Sequence, residues 1–163
     1  MPKDYPIPAG FLERETEIKK SRFIARVAPV SSRDDVKTWL EQARKDHPDA
    51  RHICWAYQIG RPGAAAEAAM NDDGEPSGTA GKPILGVIQH KDLGDVLVMV
   101  IRYFGGIKLG AGGLVRAYAG ATEAVLSVTD GHLGACIGAL AGGLYRRVAS
   151  TKNCDLPSPG ESR

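Results

Sequence analysis

Residues Asn71 to Gly81 read Asn-Asp-Asp-Gly-Glu-Pro-Ser-Gly-Thr-Ala-Gly and gather three carboxylates, two hydroxyls and three glycines into one short stretch. Carboxylates are rarely buried, and Gly, Pro and Asp interrupt helices and strands, so this composition suits a site better than a core. Asp72, Asp73 and Glu75 offer oxygens that can orient a water or hold Mg²⁺, with Asp72 and Asp73 the metal candidates. Ser77, Gly78 and Thr79, with the amides that open a following helix, can face an anionic group, and Lys82 adds positive charge. A plainer account also exists: Asp73-Gly74 makes a tight turn, Pro76 stiffens it and Thr79 caps a helix. That account explains the residues singly, not three acids and two hydroxyls together. His52, beside Arg51, becomes an acid–base candidate if it lies against this loop. Ser77 has no histidine–acid relay in the sequence, so it is a weak nucleophile. The catalytic candidates are therefore Asp72, Asp73, Glu75, Ser77 and His52.

A second cluster follows at Gly105, Gly106, Gly110, Gly112 and Gly113, with Lys108 and Arg116 inside it and Arg102 just before it. These glycines let a backbone or phosphate approach closely, or serve positive-φ turns and tight packing. The spacing is neither G-x-x-x-x-G-K-[ST] nor G-x-G-x-x-G, which removes Walker and Rossmann readings. Lys20 and Arg22, next to Lys19, make a short basic strip suited to phosphates. The anion- or nucleic-acid-binding candidates are thus Lys20, Arg22, Ser77, Gly78, Thr79, Lys82, Arg102, Gly105, Gly106, Lys108, Gly110, Gly112, Gly113 and Arg116. Tyr103 and Phe104 can stack on bases, although strand alternation sends at least one of them into the core.

The elements that must position these groups are legible from periodicity. Residues 1–12, with three prolines, read as an N-terminal arm, and Thr16 to Val30 as one strand. Val36, Trp39, Leu40 and Ala43 share a helical face, with Ser32 as N-cap and His47-Pro48 as the stop. Ile53, Trp55, Tyr57 and Ile59 alternate as in a half-buried strand, with Cys54 turned to the other face. Residues 60–79 read as a long connection and Thr79 as the cap of a short helix to about Gln89. The apolar run from Val96 to Ile101 suits a strand covered on both faces. A last helix from about Gly112 to Ser127 turns Leu114, Tyr118, Ala121 and Val125 inward. Strands alternating with helices predict one α/β domain over residues 13–128.

The 43% apolar and 25% charged fractions are those of a globular domain, and the formal charge of +2 does not by itself indicate nucleic-acid binding. Cys54, Cys136 and Cys154 are odd in number and widely spaced, against a disulfide framework or a cysteine zinc site. No signal-peptide pattern stands at the N-terminus, and Leu133 to Leu144 is too short and glycine-broken to span a membrane. A cytoplasmic protein with no membrane partner is expected.

The run Asp72-Asp-Gly-Glu-Pro-Ser-Gly-Thr-Ala-Gly-Lys-Pro-Ile-Leu85 resembles the hallmark of the IMPACT family, the YigZ-type proteins of bacteria. So do Arg102-Tyr-Phe-Gly-Gly-Ile-Lys-Leu-Gly-Ala-Gly-Gly-Leu-Val-Arg-Ala-Tyr118 and the basic entry Lys19-Lys-Ser-Arg-Phe-Ile24. The resemblance covers roughly residues 10–128 and implies an α+β two-layer sandwich like domain 2 of ribosomal protein S5, a sheet with helices on one face. It also implies a link to regulation of translation, with RNA, the ribosome or translation factors as partners. Bacterial members usually continue into a ferredoxin-like domain; residues 129–163 lack that pattern and read as an atypical, poorly ordered tail. A binding protein is favoured over an enzyme. The alternatives are a metal-assisted enzyme, with Mg²⁺, acting on a phosphorylated or carboxylated small molecule, and a protein-binding module with no ligand. The residues fix no oligomeric state.

Overall fold

The computed structural model describes residues 5–8 and 10–137, with side chains as far as Ser127. Its elements are β1 (Leu12–Ile18), β2 (Ser21–Pro29), α1 (Arg33–Asp46), β3 (His52–Ile59), β4 (Glu67–Asn71), α2 (Gly81–His90), β5 (Val96–Tyr103) and α3 (Gly110–Ile137). The strands form one antiparallel sheet in the order β1-β2-β5-β3-β4.

Alternation along the strands divides the apolar residues between two faces. Phe23, Ala25, Val27, Cys54, Ala56, Val96, Val98 and Val100 pack under α2 and α3. Ile24, Ile53, Tyr57, Leu97, Met99 and Ile101 pack under α1, where Val36, Trp39, Leu40 and Ala43 form the expected stripe. The mixed α/β fold agrees with the expectation, and α2 and α3 share a face as anticipated. The placement of all helices on one face is corrected, because α1 covers the other. β5 has both faces covered, which is why its sequence is an unbroken apolar run.

Two segments differ from the sequence reading. Thr16 to Val30 is not one strand. Lys19 (φ 48°) and Lys20 (φ 69°) turn the chain, and β1 pairs with β2 from Ile18↔Ser21 to Leu12↔Val27. Positive φ at both turn residues suits the twist of a tight hairpin, but lysine does not advertise it. The 60–79 connection contains β4, an Ala-rich edge strand paired to β3 from Ile59↔Glu67 to Trp55↔Asn71. Helix α1 follows expectation closely: Ser32 accepts from the Asp35 amide at 3.3 Å, and His47 closes the last turn onto the Ala43 carbonyl. The backbone of α3 continues past residue 128 to Ile137, and the rest of the expected tail, residues 138–163, lies outside the described residues.

Candidate binding surface and its buried support

The sheet register brings both motifs to one end of the molecule. Arg22 pairs with Tyr103 and His52 with Arg102, so the start of β2, the end of β5 and the start of β3 lie side by side. The acid-rich loop leaves β4 and runs back along β3 to that same end. There the Asp73 carboxylate accepts from the Ile53 amide at 2.7 Å, and the Asp73 carbonyl lies 2.8 Å from His52 Nδ1. A carbonyl only accepts, so His52 Nδ1 carries the proton.

The acids of this loop bind the protein itself. Asp72 Oδ1 accepts from the amides of Ala80 (3.1 Å) and Gly81 (2.8 Å), and Oδ2 from Gly78 (2.9 Å). The start of α2 is therefore closed by Asp72, and the expected anion site at Ser77, Gly78 and Thr79 is corrected: the amides of Gly78, Ala80 and Gly81 already hold a carboxylate, and the Thr79 amide donates to the Pro76 carbonyl at 3.1 Å. Thr79 does not cap the helix; its hydroxyl donates to the Pro76 carbonyl at 2.6 Å, and the N-cap position is Ala80. Ser77 is exposed, and among the described residues no histidine or acid hydrogen-bonds to it. Burial tends to raise the Asp72 pKa, but the amides of Gly78, Gly81 and Ala80 outweigh that and hold it below the ordinary value of 3.8.

A group whose pKa is lowered on folding contributes its stability above the unfolded value and loses it as pH falls through the folded one. Asp72→Asn is therefore expected to be less stable at neutral pH by about 1–2 kcal/mol. The gap to the unaltered chain should narrow as pH drops below about 4. Thermal melts across pH check this, and a gap constant down to the acid limb would contradict it.

Glu75 lies deeper, 8% exposed. Its Oε2 accepts from Arg102 Nη1 at 2.7 Å and from the Tyr118 hydroxyl at 2.5 Å, and its Oε1 is 3.7 Å from His52 Nε2. Cys54 Sγ donates to the Asp72 carbonyl (3.0 Å) and lies 3.4 Å from the Tyr118 oxygen. Burial pushes the Cys54 thiol up to about 12, the Tyr118 bond opposing it, so it is not a nucleophile at neutral pH. Burial raises the Tyr118 phenol as well.

Arg102, one of the anion-binding candidates, faces inward instead. It is 5% exposed, paired to Glu75, 3.5 Å from Ser21 Oγ and flanked by the Phe23 and Phe104 rings. The sequence hid this pairing because 27 residues separate its partners.

These contacts leave Asp72, Asp73 and Glu75 pointed at protein donors, and among the described residues no group of three or more His, Cys, Asp or Glu is arranged to hold a metal ion. The geometry thus does not support Mg²⁺ at Asp72 and Asp73. Those acids, with His52, make a brace between β3, α2 and α3.

The second glycine cluster remains on the surface. A Cβ on Gly105 would fall 1.9 Å from the Lys20 carbonyl oxygen, and the Gly105 amide donates to Ser21 Oγ at 3.2 Å. Gly105 thus lets the β1–β2 hairpin tip dock on the loop before α3. Gly106 and Gly110 hold φ of 95° and 79°, which favour glycine, whereas Gly112 and Gly113 lie in the first turn of α3. Lys20, Lys82, Lys108 and Arg116 are exposed and make no ion pair among the described residues. Arg22 is exposed but held, its guanidinium 2.6 Å from Glu15 and over the Tyr103 ring. Arg44, in the last turn of α1, is engaged by the Asp73 carboxylate at 3.4 Å. Sequence reasoning missed Arg51 as a surface group; it is exposed and sits 5.3 Å from the centroid of Phe104.

Among the described residues no helix is long and apolar enough to cross a membrane. Residues 19–126 match the Impact N-terminal domain family. The chain is 45% identical over 120 residues to the IMPACT family member YigZ of Escherichia coli (strain K12), covering 74% of this chain and 59% of the relative. It is 50% identical over 106 residues to the IMPACT family member YvyE of Bacillus subtilis (strain 168), covering 65% and 48%. A crystal structure of a hypothetical protein, 37% identical, shares the fold with a TM-score of 0.72 over 81% of this chain and 75% of that one. The chain spans about half to three-fifths of the length of these curated relatives.

Proposed function

The chain belongs to the IMPACT family through its Impact N-terminal domain, and from that premise we propose that it is a binding domain linked to regulation of translation. Its contact surface is the start of α3, the loop before it and the hairpin tip. There it holds RNA phosphate or an equivalent polyanionic surface on the ribosome or a translation factor.

One observation carries this reading: Lys20, Lys108 and Arg116 are exposed and unpaired among the described residues, around a helix start that no described side chain caps. Cations beside free helix-opening amides attract anions. The start of α2 is not part of this surface, because Asp72 occupies it. The enzyme reading is weaker on the same grounds, since its carboxylates are turned inward to Arg102, Tyr118 and backbone amides.

The test is a titration of labelled RNA at several salt concentrations. Affinity should fall as salt rises, with log K falling by about 0.7 per log unit of salt for each single-strand phosphate contact. The triple variant K20E/K108E/R116E should lose at least roughly tenfold in affinity and show a shallower slope. Salt-independent binding, or an unchanged triple variant, would remove the reading.

A further inference from the structure

The basic surface carries a second chemistry that phosphate contacts leave unused. Phe104, Ile107 and Val115 are exposed there by 39%, 41% and 38%, the only large apolar side chains among the described residues to be so exposed apart from Met70. Phe104 stands apart from the other two. It is aromatic, it follows directly on β5 at the centre of the sheet, and charged groups surround it. The Arg51 guanidinium lies 5.3 Å from its centroid and that of Arg102 lies 5.5 Å away. Its neighbour Tyr103 is half-buried, with its hydroxyl 2.6 Å from His47 Nδ1, so the alternation of the strand sends the two rings to different surroundings.

The ring also stands on a fixed base. Arg102 is locked by Glu75, and the next residue, Gly105, is pinned through its amide to Ser21 and by contact with the Lys20 backbone. Both guanidiniums lie over the ring, Arg102 fixed by Glu75 and Arg51 exposed, so a base reaches a face of Phe104 by displacing the Arg51 guanidinium, which is then free to meet the flanking phosphate.

Resting on the reading of this surface as a phosphate contact, we propose that its ligand is single-stranded RNA and that Phe104 is the platform on which an unpaired base stacks. Lys20, Lys108, Arg116 and Arg51 take the flanking phosphates. A duplex would satisfy the cations but not the ring, because paired bases present no free face and the A-form major groove admits no side chain. Aromatic platforms set in basic grooves hold single strands with little sequence preference.

The experiment uses the 163-residue chain and fluorescence anisotropy with a labelled oligouridylate. Three competitors run beside it: a duplex of equal length, inorganic polyphosphate and polyglutamate. Phe104→Ala is expected to weaken oligouridylate binding roughly tenfold, the loss typical of one stacked base. Its salt slope and its affinity for polyphosphate should stay unchanged, and Phe104→Trp should restore RNA binding. Matching thermal melts establish that the variants fold.

Unchanged oligouridylate affinity in Phe104→Ala, or tighter binding of the duplex, would overturn the stacking inference while leaving a charge-only RNA contact intact. Polyglutamate competing as well as RNA would overturn it in favour of an acidic protein surface. Binding of neither oligouridylate nor polyphosphate at low salt would overturn the phosphate reading beneath it.

Discussion

Glu75→Ala is expected to destabilise the chain by about 3–5 kcal/mol, the loss typical when one member of a buried ion pair is removed. In a domain of this size that lowers the melting temperature by roughly 10 °C or more. The cause is what remains behind. Arg102, 7% exposed at its side chain, would keep its charge without a counter-ion, and the Tyr118 hydroxyl would lose its acceptor. Arg102 Nε already has no partner, so the guanidinium has little reserve of hydrogen bonds to draw on. Glu75→Gln should cost less, because an amide oxygen can still accept from both donors. Its NH₂ group can also donate to His52 Nε2, which faces that position at 3.7 Å. The double variant E75L/R102M should recover part of the loss, since it removes both charges together. Chemical denaturation of the four proteins checks the order, and a Glu75→Ala chain that unfolds like the parent would show that the brace is not where the stability lies.

Gly105→Ala is expected to be nearly as damaging, about 3 kcal/mol, the upper part of the usual range for forcing atoms into a packed site. The new methyl would meet the Lys20 carbonyl oxygen at 1.9 Å and its carbon at 2.1 Å. Those are backbone atoms in a tight turn and cannot rotate away as a side-chain tip would. Relief requires the hairpin tip to lift from the loop, which breaks the Gly105 amide bond to Ser21 and moves Lys20 away from Gly105. Stability and RNA affinity should therefore fall together. Gly106→Ala meets no neighbouring atom, but its φ of 95° makes it a smaller, backbone-only penalty. A melt of both variants beside the RNA titration separates the two effects; equal behaviour would mean that close approach is not what position 105 requires.

The parts of this structure that were legible in the sequence are those whose cause is local. The α1 stripe, its Ser32 cap and its stop at His47 follow from spacing and from the residue before a proline. The alternation of Ile53, Tyr57 and Ile59, the doubly covered β5 and the inward stripe of α3 follow equally from periods that a single segment displays. The β1–β2 turn was hidden because Lys19 and Lys20 adopt a conformation that glycine or asparagine usually signals. Strand β4 was hidden because Glu-Ala-Ala-Met-Asn has little strand preference of its own and is held by pairing to β3.

The site was only half legible for the same reason. The concentration of acids in one loop pointed correctly to a special segment, but the direction each acid faces depends on partners far along the chain. Asp72 turns to the amides ahead of it, and Glu75 to Arg102 and Tyr118, 27 and 43 residues later. Read without those partners, an inward brace looks like an outward-facing metal or anion site. Lys20, Lys108 and Arg116 are exposed, as long charged chains usually are.

The strand order β1-β2-β5-β3-β4 has a consequence for how the chain is made. Two hairpins, β1–β2 and β3–β4, are complete by residue 71, yet neither touches the other in the finished sheet. The piece that joins them, β5, is the last of the described strands to leave the ribosome and the most apolar of them. A nascent chain halted before Val96 would hold two ribbons with open inner edges and greasy faces, the conditions under which strands pair with strangers. Once β5 arrives, it must thread between ribbons fixed far earlier in synthesis, a slow, long-range zippering step. Birth of this domain is therefore all-or-nothing, timed by the emergence of its centre rather than by growth from one end.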